Sequence, residues 1–241
     1  MVSIRVGLNP ALTPGGRVRC GLAARLRGGD NAQVIHYRWN GAMSVLWLDR
    51  WLGLLAALLF VLAVAGFGAG LDGYAQARHP VALLGAQGVP HALAFNLLGL
   101  VLPGLLAAIV AERLRRHLPV GAGWPARVGS QMLLLAGLAF AAMGLLPLDV
   151  DDLHGRASQL HASAWMIWVL GFVVGTLMLA AGRLRAPQGR ALGGLALVCG
   201  VLAGLAAFVL QGALPAPTAQ RLAFACWAVW LAAVLPLSRA R

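Results

Sequence analysis

Six apolar stretches fill the chain from Trp47 to Leu237, each about long enough to cross a bilayer. A spanning helix needs about 20 mostly apolar residues at 1.5 Å rise each. The runs lie at about 51–71, 90–111, 128–147, 160–181, 191–211 and 221–237. No strand-like alternation persists anywhere. Lipid offers the backbone no hydrogen-bond partner, so such segments cross as helices. The expected fold is therefore all-α, a polytopic six-transmembrane-helix bundle. The connections are short enough for a single domain over 43–241.

Composition agrees with this and sets the orientation. Hydrophobic residues make up 60% of the chain and charged residues 11%, against roughly 25% charged in soluble domains. There is no lysine, so orientation rests on arginine. With the N-terminus in the cytoplasm, only Arg78, Arg156 and Arg221 fall outside, and the other sixteen arginines fall inside. The positive-inside rule then predicts N-in and C-in. Topology and anionic headgroups account for the net charge of +12, and no nucleic-acid partner is needed to explain it. A reporter fused to the C-terminus is expected to be active only if it works in the cytoplasm. Activity of a periplasm-only reporter there would overturn this orientation.

Residues 1–42 differ from the rest. They carry six arginines, one acid (Asp30) and the clusters Pro14-Gly15-Gly16 and Gly28-Gly29-Asp30. The segment reads as a disordered basic cytoplasmic arm or as an over-extended start before Met43. It has no apolar run of signal-peptide length. The lysine-free, alanine- and glycine-rich composition points to a bacterial inner membrane rather than organelle import. Cys20, Cys199 and Cys226 form no CxxC pair and read as inert thiols.

The polar residues are distributed unevenly. In the N-in arrangement Asp72, Asp149, Asp151 and Asp152 face outward, as do His79, His91, His154 and His161. If the fourth helix starts early, Asp151, His154, Ser158 and His161 share one face, which Trp165 and Trp168 continue. A carboxylate with two imidazoles suits a divalent metal or an acid–base pair. A polar interfacial loop flanked by tryptophans reads the same way. His91 is expected to open the second helix behind Pro90. Asn96 then lies about 7 Å deeper, where a polar side chain seeks an interior partner. Gln131 reads as structural. Gly171 with Gly175, and Gly200 with Gly204, are small-xxx-small pairs that mark close helix contacts.

Two blocks carry a resemblance. One runs from His79-Pro80 through Leu84-Gly85 to Pro90-His91 and Asn96, with Gly99 and Pro103-Gly104 beyond. The other is Gly144-Leu145-Leu146-Pro147-Leu148-Asp149, followed by His161. Together they resemble the prokaryotic six-helix membrane family known as domain of unknown function 998, with Leu146 in place of the usual Phe. The resemblance covers about 47–237. It implies an integral bundle and singles out Asn96, Asp149 and His161, but it brings no reaction with it.

Three functional classes follow. In an enzyme, His91, Asp149 and His161 would form a periplasm-facing catalytic or metal-binding set. Asn96, Asp151, His154 and Ser158 would bind a lipid or envelope substrate. In a transporter, ligand-binding or assembly subunit, the same rim would be non-catalytic. In a b-type haem protein, His91 and His161 would be axial ligands. The first and third need His91 and His161 to meet.

Overall fold

The computed structural model describes the backbone of residues 41–239 and the side chains of 51–238. The expected basic arm lies outside the described residues, as do Cys20, Asp30 and His36. The chain divides into Met1–Val45 and Leu46–Arg241, and the fold below is that of the second part.

Among the described residues there are helices and no strands. Six helices are long and apolar enough to span a membrane: Trp51–Gly70, Ala92–His117, Trp124–Leu145, Arg156–Arg183, Pro187–Gly212 and Ala216–Ser238. They are called the first to sixth spans here. The protein is thus a multi-pass membrane protein. Several ends depart from expectation for physical reasons. The second span runs six residues past 111, because Glu112, Arg113, Arg115 and Arg116 are good helix formers although they are not apolar. There Glu112 pairs with Arg115 (2.7 Å) and Arg116 (2.7 Å) at helical spacing. Prolines set other limits. Pro125 and Pro187 sit in first turns, where a missing N–H costs nothing. Pro119 and Pro147 follow helix ends.

The second span is not a uniform helix. Its first turn, Ala92–Phe95, widens into a π-helical stretch at Asn96–Val101 before α-helix resumes at Leu102. Pro103 supplies the cause. It lacks the N–H that would reach Gly99, and its ring crowds that carbonyl. The wider turn relieves both. The disturbance caused by Pro103 therefore appears one turn earlier as a π-segment. A second π-segment, Leu205–Val209, lies near the end of the fifth span.

Packing converges on an aromatic centre. Phe60, Phe140, Trp168, Phe224 and Trp227 come from the first, third, fourth and sixth spans. Phe140 stacks on Trp227 at 4.1 Å, and Phe60 meets Phe140 edge-on at 5.4 Å. Phe60, Phe140, Trp168 and Trp227 are buried, while Leu55, Leu62, Leu93, Ile167, Val198 and Val229 are exposed. A bundle with an apolar exterior is what lipid solvent requires. Small residues allow close approach. Gly171 and Gly175 face the third span near Met132 and Gly129, as their spacing implied, and Gly200 faces Thr176. Gly204 makes only ordinary contact with Val173.

Successive spans put the connections 71–91, 146–155 and 213–215 at one end of the bundle. The first two are joined there by the Gln87 N–H donating to the Leu148 carbonyl at 2.8 Å. This end is the long-loop rim.

Candidate functional site

The long-loop rim holds two polar clusters. The first is built on the connection between the third and fourth spans. The third span ends at Leu145 and the fourth starts at Arg156, so Asp149 lies midway along a short reversal. Its Oδ1 accepts the backbone N–H groups of Asp151 (3.1 Å) and Asp152 (3.3 Å). Such an Asx turn satisfies donors that the reversal would otherwise strand. Ser158, in the first turn of the helix, closes the reversal from the other side. Its Oγ lies 2.8 Å from the Asp149 carbonyl and 2.9 Å from the Asp152 carbonyl, and accepts the Asp149 N–H at 3.2 Å. His161 is one turn deeper and buried. Its Nδ1 lies 2.8 Å from the Leu146 carbonyl, which fits the tautomer carrying the proton on Nδ1. Asn96 is buried on the second span, and its Nδ2 donates to the Gly85 carbonyl at 2.9 Å. Gly85 ends the turn Val81–Gly85, and a Cβ there would run into Asn96 Oδ1.

Asp149, Ser158 and His161 thus serve one connection, and Asn96 serves the neighbouring one. His91, Asp151 and His154 stand apart. His91 does not open the helix as expected. It precedes Ala92 in the left-handed conformation at φ 60°, a region histidine enters more readily than most residues. Its side chain is exposed rather than aimed along the bundle. The fourth helix does not start early enough to carry Asp151 and His154. Both are exposed in the loop, and only Ser158, His161, Trp165 and Trp168 form the expected stripe. Among the described residues no group of three or more His, Cys, Asp or Glu side chains could hold a metal ion. The metal and haem readings of His91, Asp149 and His161 gain no support from these positions.

The second cluster was not foreseen. The sixth helix begins at Ala216 rather than 221, which places Arg221 more than a turn inside it. Arg221 reaches back to the first connection. Its Nη2 donates to the Tyr74 hydroxyl (2.7 Å) and to Gln76 Oε1 (2.8 Å). Its Nη1 donates to the carbonyls of His79 (2.9 Å) and Pro217 (3.2 Å), and its Nε to Gln76 Oε1 (3.2 Å). The loop is also held from within. Ala75 donates its N–H to His79 Nδ1 (2.9 Å), and Gln76 donates to the Val64 carbonyl (3.0 Å). Burial pushes the Tyr74 hydroxyl above its usual range, and the Arg221 charge offsets this only in part. Tyr74 therefore stays a neutral phenol at physiological pH. The one advance signal was Arg221 itself, which the expected orientation puts outside against the charge rule.

Beside Arg221 a groove of about 320 Å³ runs between the first and sixth spans, within the range of small-molecule sites. Phe60, Val64, Val81 and Phe224 form its apolar floor, and Gln76 and Arg221 close one end.

Comparison with protein families matches the model described as "Protein of unknown function (DUF998)" to residues 50–235, a range that takes in nearly all of the six spans. Comparisons with curated proteins and with solved structures give no match. A match over this share of the chain bears out the resemblance seen in the two sequence blocks, and the chain belongs to the DUF998 family.

Proposed function

We propose that this is a bacterial inner-membrane protein that binds a bilayer amphiphile from the side, with the long-loop rim toward the periplasm. One observation carries the reading: the groove between the first and sixth spans is apolar along its floor and polar at one end, where Gln76 and Arg221 stand. Bilayer amphiphiles have the same polarity. Val61 and Ala225 on its lining are exposed on the two spans, so a chain in the bilayer can reach it without crossing water. This favours a ligand-binding role over the acid–base role. Asp149 Oδ1 and His161 Nδ1 are already committed to the backbone of their own connection, whereas the floor of the groove is apolar and suits a hydrocarbon chain.

Photolabelling with a lipid carrying a diazirine in its acyl chain tests this. Labelling is expected to concentrate on residues 60–65 and 224–225. Ala225→Trp, on an exposed groove position, should remove it there and leave the stability of the bundle unchanged. Labelling spread evenly over the lipid-facing surface, or unaffected by Ala225→Trp, would overturn the reading.

A further inference from the structure

We infer that the amphiphile carries a phosphate headgroup, which seats on the Nε/Nη2 edge of Arg221 in place of the Gln76 side-chain oxygen. This rests on the amphiphile reading above and goes beyond it in naming the headgroup and its seat.

Among the described residues no carboxylate matches the charge of Arg221. Its partners are an amide oxygen, a phenol and two backbone carbonyls, all neutral. None of the rim carboxylates, Asp72, Asp149, Asp151 or Asp152, bonds to it. The guanidinium is nonetheless fixed. Tyr74, His79 and Pro217 hold three of its N–H groups. The remaining two, on Nε and Nη2, both point at the single Oε1 of Gln76. That edge offers two parallel donors, the fork that carboxylate and phosphate take with two oxygens. One neutral oxygen shared between them is a weak occupant. Gln76 is exposed and otherwise tied only through its Nε2 to Val64, so it can swing out without disturbing the rest.

The surroundings favour phosphate. The Tyr74 hydroxyl lies 2.7 Å from the same Nη2, and its own donor bond to the Pro80 carbonyl is long at 3.3 Å. A phosphodiester can put its two non-bridging oxygens on the fork and turn an ester oxygen toward Tyr74. A carboxylate has only two oxygens. A headgroup seated there leads its chain straight onto Phe60, Val64 and Phe224, because Gln76 and Arg221 line the same groove. Holding the guanidinium in place beforehand lowers the ordering cost of binding.

The test uses three photoactivatable probes with the same diazirine chain, in uncharged detergent: phosphatidylglycerol, diacylglycerol and a fatty acid. Groove labelling should favour phosphatidylglycerol over both others by roughly tenfold, the effect of one good charge-assisted contact. Gln76→Glu places a carboxylate on the fork. It should abolish that preference while leaving thermal stability equal or higher, which separates blocking from misfolding. Gln76→Ala removes the weak occupant and should keep or raise the preference. Arg78→Gln, at an exposed rim arginine, should change nothing. A preference that survives Gln76→Glu, or is lost in Gln76→Ala, overturns the inference, as does fatty acid labelling as strongly as phosphatidylglycerol. Equal groove labelling by diacylglycerol overturns the headgroup assignment while the amphiphile reading stands. No groove labelling by any probe overturns both.

Discussion

Gly104→Val should force the second and third spans apart and lower bundle stability by about 3 kcal/mol, the upper end of ordinary overpacking costs. The contact there is backbone on backbone. A Cβ on Gly104 would lie 2.8 Å from both the Gly137 carbonyl oxygen and the Ala141 Cα, and closer still to the Ala141 nitrogen. The arrangement is reciprocal, since a Cβ on Gly137 would lie 2.6 Å from the Ala108 nitrogen. Gly104 with Ala108 and Gly137 with Ala141 thus interlock as two small-xxx-small pairs. No side chain can rotate away to make room, so the helices themselves must move. Gly137→Val should cost a similar amount. The double substitution should cost less than the sum, because either change alone imposes the same separation. Gly66→Ala is the control. Nothing lies within 4 Å of its added methyl, so only the intrinsic preference of helices for alanine, about 1 kcal/mol, remains. Reversible unfolding in mixed micelles reads all four. Wild-type stability in Gly104→Val would show that the two spans do not depend on this approach.

The same pair shows what the chain discloses before it folds. The six spans are legible because apolar length is a local property, and the bilayer demands it of each segment separately. Their ends are less so. The turn from Glu112 to His117 is helical but polar, and so is the start of the fourth span at Arg156. Hydropathy falls there while the helix continues. Gly171 and Gly175 were legible as packing glycines because both bases of the motif are glycine. Gly104 and Gly137 were not, because each has alanine as its second small residue, and alanine is everywhere in this chain.

The rim divides in the same way. Asn96 and His161 stood out as polar side chains in apolar helices, and such residues need partners. Their partners could not be read, because they are the carbonyls of Gly85 and Leu146, and a carbonyl has no residue identity. His91 misled for a local reason. Pro90 suggested a helix start, yet the turn places the next residue in the left-handed region and points its ring outward. The Arg221 cluster was hidden by distance. Tyr74, Gln76 and His79 are ordinary loop residues, and the charge that organises them enters more than 140 positions later.

His161→Ala should lower stability by about 2 kcal/mol, the cost of leaving a buried partner of a removed hydrogen bond unsatisfied. The Leu146 carbonyl follows the last turn of the third span and takes the His161 Nδ1 contact at 2.8 Å. Without it the connection 146–155 keeps the Asp149 and Ser158 bonds and the Gln87 N–H on the Leu148 carbonyl. His161→Asn discriminates between roles. An asparagine amide nitrogen falls close to the Nδ1 position of histidine, so it can donate to the same carbonyl, but it carries no second ring nitrogen for a metal or a proton. If His161 acts by pinning the connection, His161→Asn should recover most of the stability lost in His161→Ala. Ser158→Ala combined with His161→Ala should then cost less than the two changes separately, because both loosen one ten-residue reversal. If its chemistry lies in the other nitrogen, asparagine should restore stability and leave ligand binding or activity as low as alanine does. Failure of asparagine to restore stability would show that the bond to Leu146 is not what His161 contributes to the fold.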